Sequence, residues 1–205
     1  EKNNLLGDPF WKNNIEILSQ PRGAGYWLWK PYIISKTINK LDEGDIVLYT
    51  DAAVLVISSL QPLFNLITEE RGIIVFEQGT PIHTNKIWTK RDTFRLMDCD
   101  EEKYWNDVQL TATFSLWRAD QKSVNFLSEW QKYMENPRIS TDIPCKENFK
   151  EFKDHRHDQS VLSIMSQKYN LERFRDPSQW GNDDKTKTNS PYGQIFNHHR
   201  MKLFG

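Results

Sequence analysis

The chain has 205 residues, with 27 Lys and Arg against 28 Asp and Glu, and its formal charge of -1 gives no global basic field of the kind a nucleic-acid binder carries. A charged share of 27% and a hydrophobic share of 38% fit a globular domain rather than a disordered segment. No apolar run is long enough to cross a bilayer, no secretory leader opens the sequence, and Cys99 and Cys145 lack metal-type spacing, so a single cytoplasmic domain over residues 1–205 with reduced thiols is expected, whole or trimmed from a longer chain.

In chain order, Phe10, Trp11, Ile15, Ile17 and Leu18 suggest a short helix. Arg22 to Pro31 follows, reading R-G-A-G-Y-W-L-W-K-P. Gly23 and Gly25 permit a tight backbone path, and Tyr26, Trp27 and Trp29 crowd beside them. Aromatics make up 13% of the chain; most fill the core, and some can stack on a sugar or a base. Ile33, Ile34, Ile38 and Leu41 predict a helix that Pro31 suits at its first turn. Lys30 stands at that helix start, where a cation opposes the helix dipole. It is either a solvated lysine or a phosphate ligand.

Gly44 to Ala53, G-D-I-V-L-Y-T-D-A-A, is the organising stretch. Its apolar block predicts a strand buried on both faces, as in a covered parallel sheet. Asp51 then falls at the strand's carboxyl end, where open α/β sheets bind ligands, unless it only starts a turn or caps a helix. A helix is expected over residues 59–70 and a buried strand over residues 72–77. Strand, helix and strand in this order predict a doubly wound sheet. Thr89 with Asp92 resembles a capping box for a helix reaching Met97. Residues 110–117 alternate as a half-buried strand, and residues 120–134 carry a helical apolar face. Residues 135–152 read as a polar loop. D-H-R-H-D-Q-S, Asp154 to Ser160, then opens a helix whose amino terminus offers N–H groups to an anion. Residues 171–174 suggest a last strand, and the chain ends near His198, His199 and Arg200.

Three polar clusters therefore stand out: Asp51, His155 to Gln159, and His198 to Arg200. A divalent cation needs carboxylate or imidazole ligands, and a diphosphate needs a cation or Arg and Lys charge. His155 and His157 read equally as hydrogen-bonded structural histidines, and Asp158 as the N-cap of its helix. No zinc signature, nucleophile elbow, Walker loop or G-x-G-x-x-G fingerprint is present.

The stretches R-G-A-G-Y-W-L-W-K-P, G-D-I-V-L-Y-T-D-A-A and D-H-R-H-D-Q-S-V-L-S-I-M-S-Q-K-Y, with W-T-K at Trp88 and the terminal H-H-R, resemble sugar-nucleotide glycosyltransferases of the GT-A fold. The likeness is to capsule-type and chlorella-virus glycosyltransferase domains and runs from about Phe10 to Arg200. It implies an α/β, single Rossmann-like domain with a mostly parallel central sheet and helices on both faces. It implies a metal-dependent hexosyltransferase that uses a nucleotide-sugar, a UDP-sugar by preference, and a glycan acceptor, with retention. The alternative is a non-catalytic nucleotide-sugar or glycan-binding module; a metal-dependent phosphohydrolase is a weaker third. By this resemblance Asp158 and Gln159 act at the sugar, and Lys30, Tyr49, Asp51, Ala53, His155, Arg156, His157 and Arg200 bind the donor. Asp51 and His199 would hold Mn2+ or Mg2+. Two departures are visible. The family's acidic motif is D-x-D, and Ala53 replaces its second carboxylate. The strand that usually cradles the base should precede Phe10, and residues 1–9 do not resemble it.

Overall fold

Among the described residues, six strands form two sheets: β1 (Ile46–Thr50), β2 (Val54–Val56), β3 (Ile73–Glu77), β4 (Leu110–Arg118), β5 (Arg173–Arg175) and β6 (Phe196–His198). The structure, a computed structural model, describes residues 7–78 and 83–199. The main sheet has the order β1-β4-β3-β5, and β2 pairs with β6 in a separate ribbon. β4 runs antiparallel to both β1 and β3, while β3 and β5 are parallel. The protein is thus α/β with a mixed sheet, and the expected mostly parallel arrangement gives way to one parallel pair of neighbours. The reason is the insertion of β4 between β1 and β3. That placement also leaves β1 at the sheet's edge. The strand expected to be buried on both faces is half-buried, with Ile46 exposed.

Three long helices, α1 (Trp29–Ile38), α2 (Gln121–Met134) and α3 (His157–Lys168), share one core with Val47, Tyr49, Ile73, Val75 and Trp117. They lie on one face of the sheet. The other face carries Leu48, Ile74, Phe76, Phe114 and Leu116, covered by Leu63, Leu66, Tyr192, Ile195 and Phe196. Among the described residues no long helix lies there; the helix expected over residues 59–70 is a single turn, Gln61–Phe64. It ends at Asn65, and in the loop that follows Arg71 donates through Nε to the Leu66 carbonyl at 2.7 Å. α2 starts where Asp120 accepts from the Ser123 amide at 2.8 Å, and it buries Phe126, Leu127, Trp130 and Met134 at helical spacing. α3 is buried nearly all round, and Ser160, Ser163 and Ser166 hydrogen-bond within it or to its neighbours.

β4 carries the irregularity that shapes the cleft. Ile74 pairs with Leu116 and Phe76 pairs with Thr111, so two steps of β3 span five of β4. An odd excess reverses the pleat. Phe114 and Leu116 therefore face one core, while Leu110 and Ala112 face the other. The extra backbone also aims two carbonyls at the end of β1. Thr113 accepts from the Asp51 amide at 2.8 Å, and Ala112 accepts from the Lys30 ammonium at 2.9 Å.

Candidate functional site

Lys30, Asp51 and Asp158 come from a helix start, a strand end and another helix start, and they meet at one ammonium group. Lys30 Nζ lies 2.5 Å from Asp158 Oδ2 and 3.7 Å from Asp51 Oδ1. Lys30 and Asp158 are almost fully buried, whereas the Asp51 side chain is 35% exposed. Burial pushes the Asp158 carboxyl above the usual carboxylate range, against the pull of Lys30, and the nearby Asp51 charge adds to the rise. Tyr49 donates its hydroxyl to Asp51 Oδ1 at 2.6 Å, and its ring lies under the Lys30 ammonium at 5.2 Å. Burial and the Asp51 charge hold the Tyr49 phenol far above its ordinary value, so it stays a donor. The cleft around this centre measures about 190 Å³ and is lined in part by Arg22, Trp27, Thr113, Arg156 and Gln159.

The start of α3 explains the rest. Gln159 donates through Nε2 to Gln109 Oε1 at 2.7 Å. Gln109 is fully buried and donates in turn to Thr89 at 3.0 Å. The Gln159 amide is therefore oriented by a chain of hydrogen bonds. Arg156 lies over the Trp88 ring at 3.9 Å and donates to Gln78 at 2.6 Å. Both histidines are buried. His155 Nε2 donates to the Ile139 carbonyl at 2.7 Å while its Nδ1 accepts from the Lys90 amide at 3.4 Å. His157 Nδ1 donates to the Ser140 carbonyl at 2.8 Å. Desolvation holds both imidazoles below their ordinary pKa, His155 well below. Lys90 adds a third clamp: its buried ammonium donates to the Thr141 carbonyl at 2.5 Å, and burial brings its pKa to about 8. The two imidazoles and this ammonium bind the carbonyls of residues 139–141 and so fix the turn against which α3 begins.

On the far side of Asp51, Ala53 accepts from the His199 amide at 3.1 Å, beside the pairing of Val54 with His198. This folds the C-terminal ribbon back onto the D-A-A stretch. His199 Nδ1 is buried with no hydrogen-bond partner among the described residues. No group of three or more His, Cys, Asp or Glu side chains is poised for a metal among the described residues. Arg200 lies outside them.

The structure also shows what spacing concealed. Gly23, Ala24, Gly25, Tyr26 and Trp27 have successive φ values of 57, 52, 101, 52 and 58°. With Tyr26 N bonded to Arg22 O at 2.7 Å and Trp27 N to Gly23 O at 3.2 Å, they form a left-handed helical turn. Each L-residue in that conformation costs about 1–2 kcal/mol. Gly23 and Gly25 were the visible signal. A Cβ on Gly23 would lie 2.3 Å from the Trp27 ring, and one on Gly25 would lie 2.6 Å from Leu18 Cα. Gln109 and the Ala112 carbonyl had no sequence signal, since both sit inside or beside an ordinary strand pattern.

Compared with known proteins, no family model matches the chain, and no curated protein matches it. No described helix is long and apolar enough to cross a membrane.

Proposed function

We propose that the protein is a glycosyltransferase that moves a hexose from a nucleotide-sugar, preferably a UDP-sugar, to a hydroxyl of a glycan with retention of configuration. The observation that carries this reading is the meeting of Lys30, Asp51 and Asp158 in one cleft. The three residues lie in three separate stretches that resemble the same transferase family.

Asp51, partly exposed at the end of β1, binds the ribose or the diphosphate side of the donor. Lys30 spends its protons inside the protein, on Asp158 and Ala112. Its role is to keep two neighbouring carboxylates together and to offset their charge beside the donor's diphosphate. Asp158 receives donor hydroxyls. Gln159, held by Gln109, presents its carbonyl oxygen to the positive charge that develops on the sugar ring. An amide is a poor nucleophile, which favours front-face departure: the bond from the anomeric carbon to the diphosphate oxygen breaks, the acceptor oxygen bonds from the same face, and the acceptor proton passes to the departing phosphate. Arg156, stacked on Trp88, adds positive charge beside the start of α3. His155 and His157 line the cleft on the donor side and also anchor the turn through their ring N–H groups.

Asp51 and His199 are the residues that would hold a divalent cation, with its remaining ligands taken from phosphate and water, as Mg2+ and Mn2+ commonly do. Bound there, such an ion would supply Lewis-acid charge to the leaving diphosphate.

The test is a panel of nucleotide-sugars incubated with the protein, with and without manganese. Release of UDP, accelerated by acceptor, is expected, and Asp51→Ala is expected to lose most of it. Release of UMP would assign a phosphohydrolase. Thermal stabilisation by a nucleotide-sugar without turnover would assign a binding module. An inverted product, read by NMR of the anomeric proton, would overturn the retaining assignment.

A further inference from the structure

The W-T-K stretch at Trp88, Thr89 and Lys90 carries none of the proposed bond-breaking itself, yet Trp88 and Thr89 are tied to Gln159 through two buried side chains, Ser160 and Gln109. These contacts run through hydroxyl and amide groups, whose donors and acceptors can be counted singly. Ser160 is fully buried. Its hydroxyl donates its one proton to the Trp88 carbonyl at 2.9 Å, and its oxygen accepts from the Arg156 amide at 3.3 Å and from Gln109 Nε2 at 3.4 Å. With that proton committed, Ser160 can only accept from Gln109. Thr89, also fully buried, takes the other N–H of Gln109 at 3.0 Å.

Both N–H groups of the Gln109 side chain are thereby used. Its Oε1 is left for Gln159, whose Nε2 donates to it at 2.7 Å. The reverse orientation would set the Gln109 carbonyl oxygen against the lone pairs of Ser160, and a buried acceptor that faces an acceptor loses its hydrogen bond at full desolvation cost. The direction of one amide thus dictates the direction of the next, and Gln159 turns its nitrogen toward Gln109. Gln159 lines the cleft, and its own Oε1 takes no protein hydrogen bond among the described residues.

We propose that Ser160 and Gln109 are positioning residues. Ser160 sets the polarity of the relay and Gln109 transmits it, so that Gln159 offers a carbonyl oxygen, not an N–H, to the sugar. This rests on the transferase reading and names what fixes the direction of the amide at which that reading places positive charge.

The test compares Gln109→Met, Gln109→Glu and Ser160→Ala with wild type. Met fills a similar volume without the acceptor, whereas Glu keeps an oxygen that accepts from Gln159 in either protonation state. Ser160→Ala breaks the relay at a separate point, so a folding failure of one variant leaves the other informative. The substrate is UDP-glucose or UDP-galactose with manganese, the faster of the two in wild type. The kcat for UDP release is expected to fall at least about tenfold in Gln109→Met and about threefold in Ser160→Ala, with donor KM within about twofold of wild type, and Gln109→Glu is expected to recover most of the loss. A merely structural role gives a buried carboxyl no such advantage over methionine. Wild-type kcat in Gln109→Met overturns the relay, as does Glu performing no better than Met, or a rise in KM in place of the fall in kcat. A second readout needs no turnover: the side-chain NH2 signal of Gln159 in 15N NMR, identified by its loss in Gln159→Glu. Its exchange with water is expected to be slow in wild type and Gln109→Glu and at least about tenfold faster in Gln109→Met. Fast exchange in wild type, or equal exchange in Gln109→Met, also overturns the relay. If neither donor releases UDP while the NH2 pattern holds, the transferase reading falls and the relay stands.

Discussion

Two clusters of charge share one cleft, and they are built on opposite principles. The Lys30 centre is dry: its ammonium and Asp158 are almost fully buried, and every close partner is part of the protein. The Arg22 cluster is wet: Arg22 holds Asp142 at 3.0 Å and Asp154 at 2.8 Å, and all three side chains are open to solvent. Each has one cation between two carboxylates. Burial decides what that arrangement is worth. In a dry centre the charges are weakly screened and the geometry is fixed, so removing one member strands the others. At a wet mouth the same pairing is weak and its groups stay available to a ligand. The dry centre thus suits chemistry in which charge must be held still, and the wet one suits recognition.

The comparison breaks most visibly at Lys30. Lys30→Met keeps the stem but leaves Asp158 buried and unpaired, which is expected to cost about 3–5 kcal/mol of stability. Urea unfolding measures the loss. Lys30→Met with Asp158→Leu replaces the pair by apolar groups and is expected to recover most of that stability while UDP release stays lost. If the single variant is as stable as wild type, the centre is not the dry pair its burial indicates.

Gly23→Ala tests the wall between the two clusters. The new Cβ overlaps the Trp27 ring, and alanine adds the left-handed penalty of about 1–2 kcal/mol to an overpacking cost of about 1–3 kcal/mol. The melting temperature should fall, and Trp27 fluorescence should shift as the ring leaves its place. A variant that melts with wild type and keeps its emission would show that the turn relaxes freely.

The two buried histidines give the pH dependence. Their folded pKa values lie below the ordinary one, so below that ordinary value the unfolded chain binds protons that the folded chain does not. Stability therefore rises with pH below about 6.5, and each histidine contributes up to about 1.4 kcal/mol per pH unit over its window. Titratable or charged groups around them include Lys90, Arg22, Asp142 and Asp154, and His155 and His157 face each other with centroids 4.9 Å apart. The urea midpoint should drop between pH 7 and pH 5. His155→Gln, measured across the same range, should show a shallower drop, and an identical slope would place the effect elsewhere.

This arrangement was only partly legible in the chain. The ends of β3 and β4, and α2 with its Asp120 cap, follow from local periodicity and need little from the rest of the molecule. The edge position of β1 does not, because the same apolar block fits a central or an outer strand until the partners are known. β2 and β6 were invisible for a related reason: each is three residues long and exists only through pairing across the chain. At the site, Lys30, Asp51 and Asp158 stood out as charges in odd places, and their convergence depends on tertiary contacts. The left-handed turn was hidden because two glycines suggest a tight path without giving its hand. The bulge in β4 was hidden because its residues alternate acceptably in either register.

The smallest effect belongs to Arg22, and it sharpens the contrast with Lys30. Arg22→Ala removes both contacts to Asp142 and Asp154, yet screening at an exposed mouth limits the loss to about 0–1 kcal/mol, and added salt should erase it. Denaturation at low and at moderate ionic strength measures this. The salt series is what decides: the stability difference fades as ions screen the exposed pairs. A large, salt-independent loss of stability in Arg22→Ala would mean that the mouth is built like the Lys30 centre, and the division between a dry chemical end and a wet recognition end would fall.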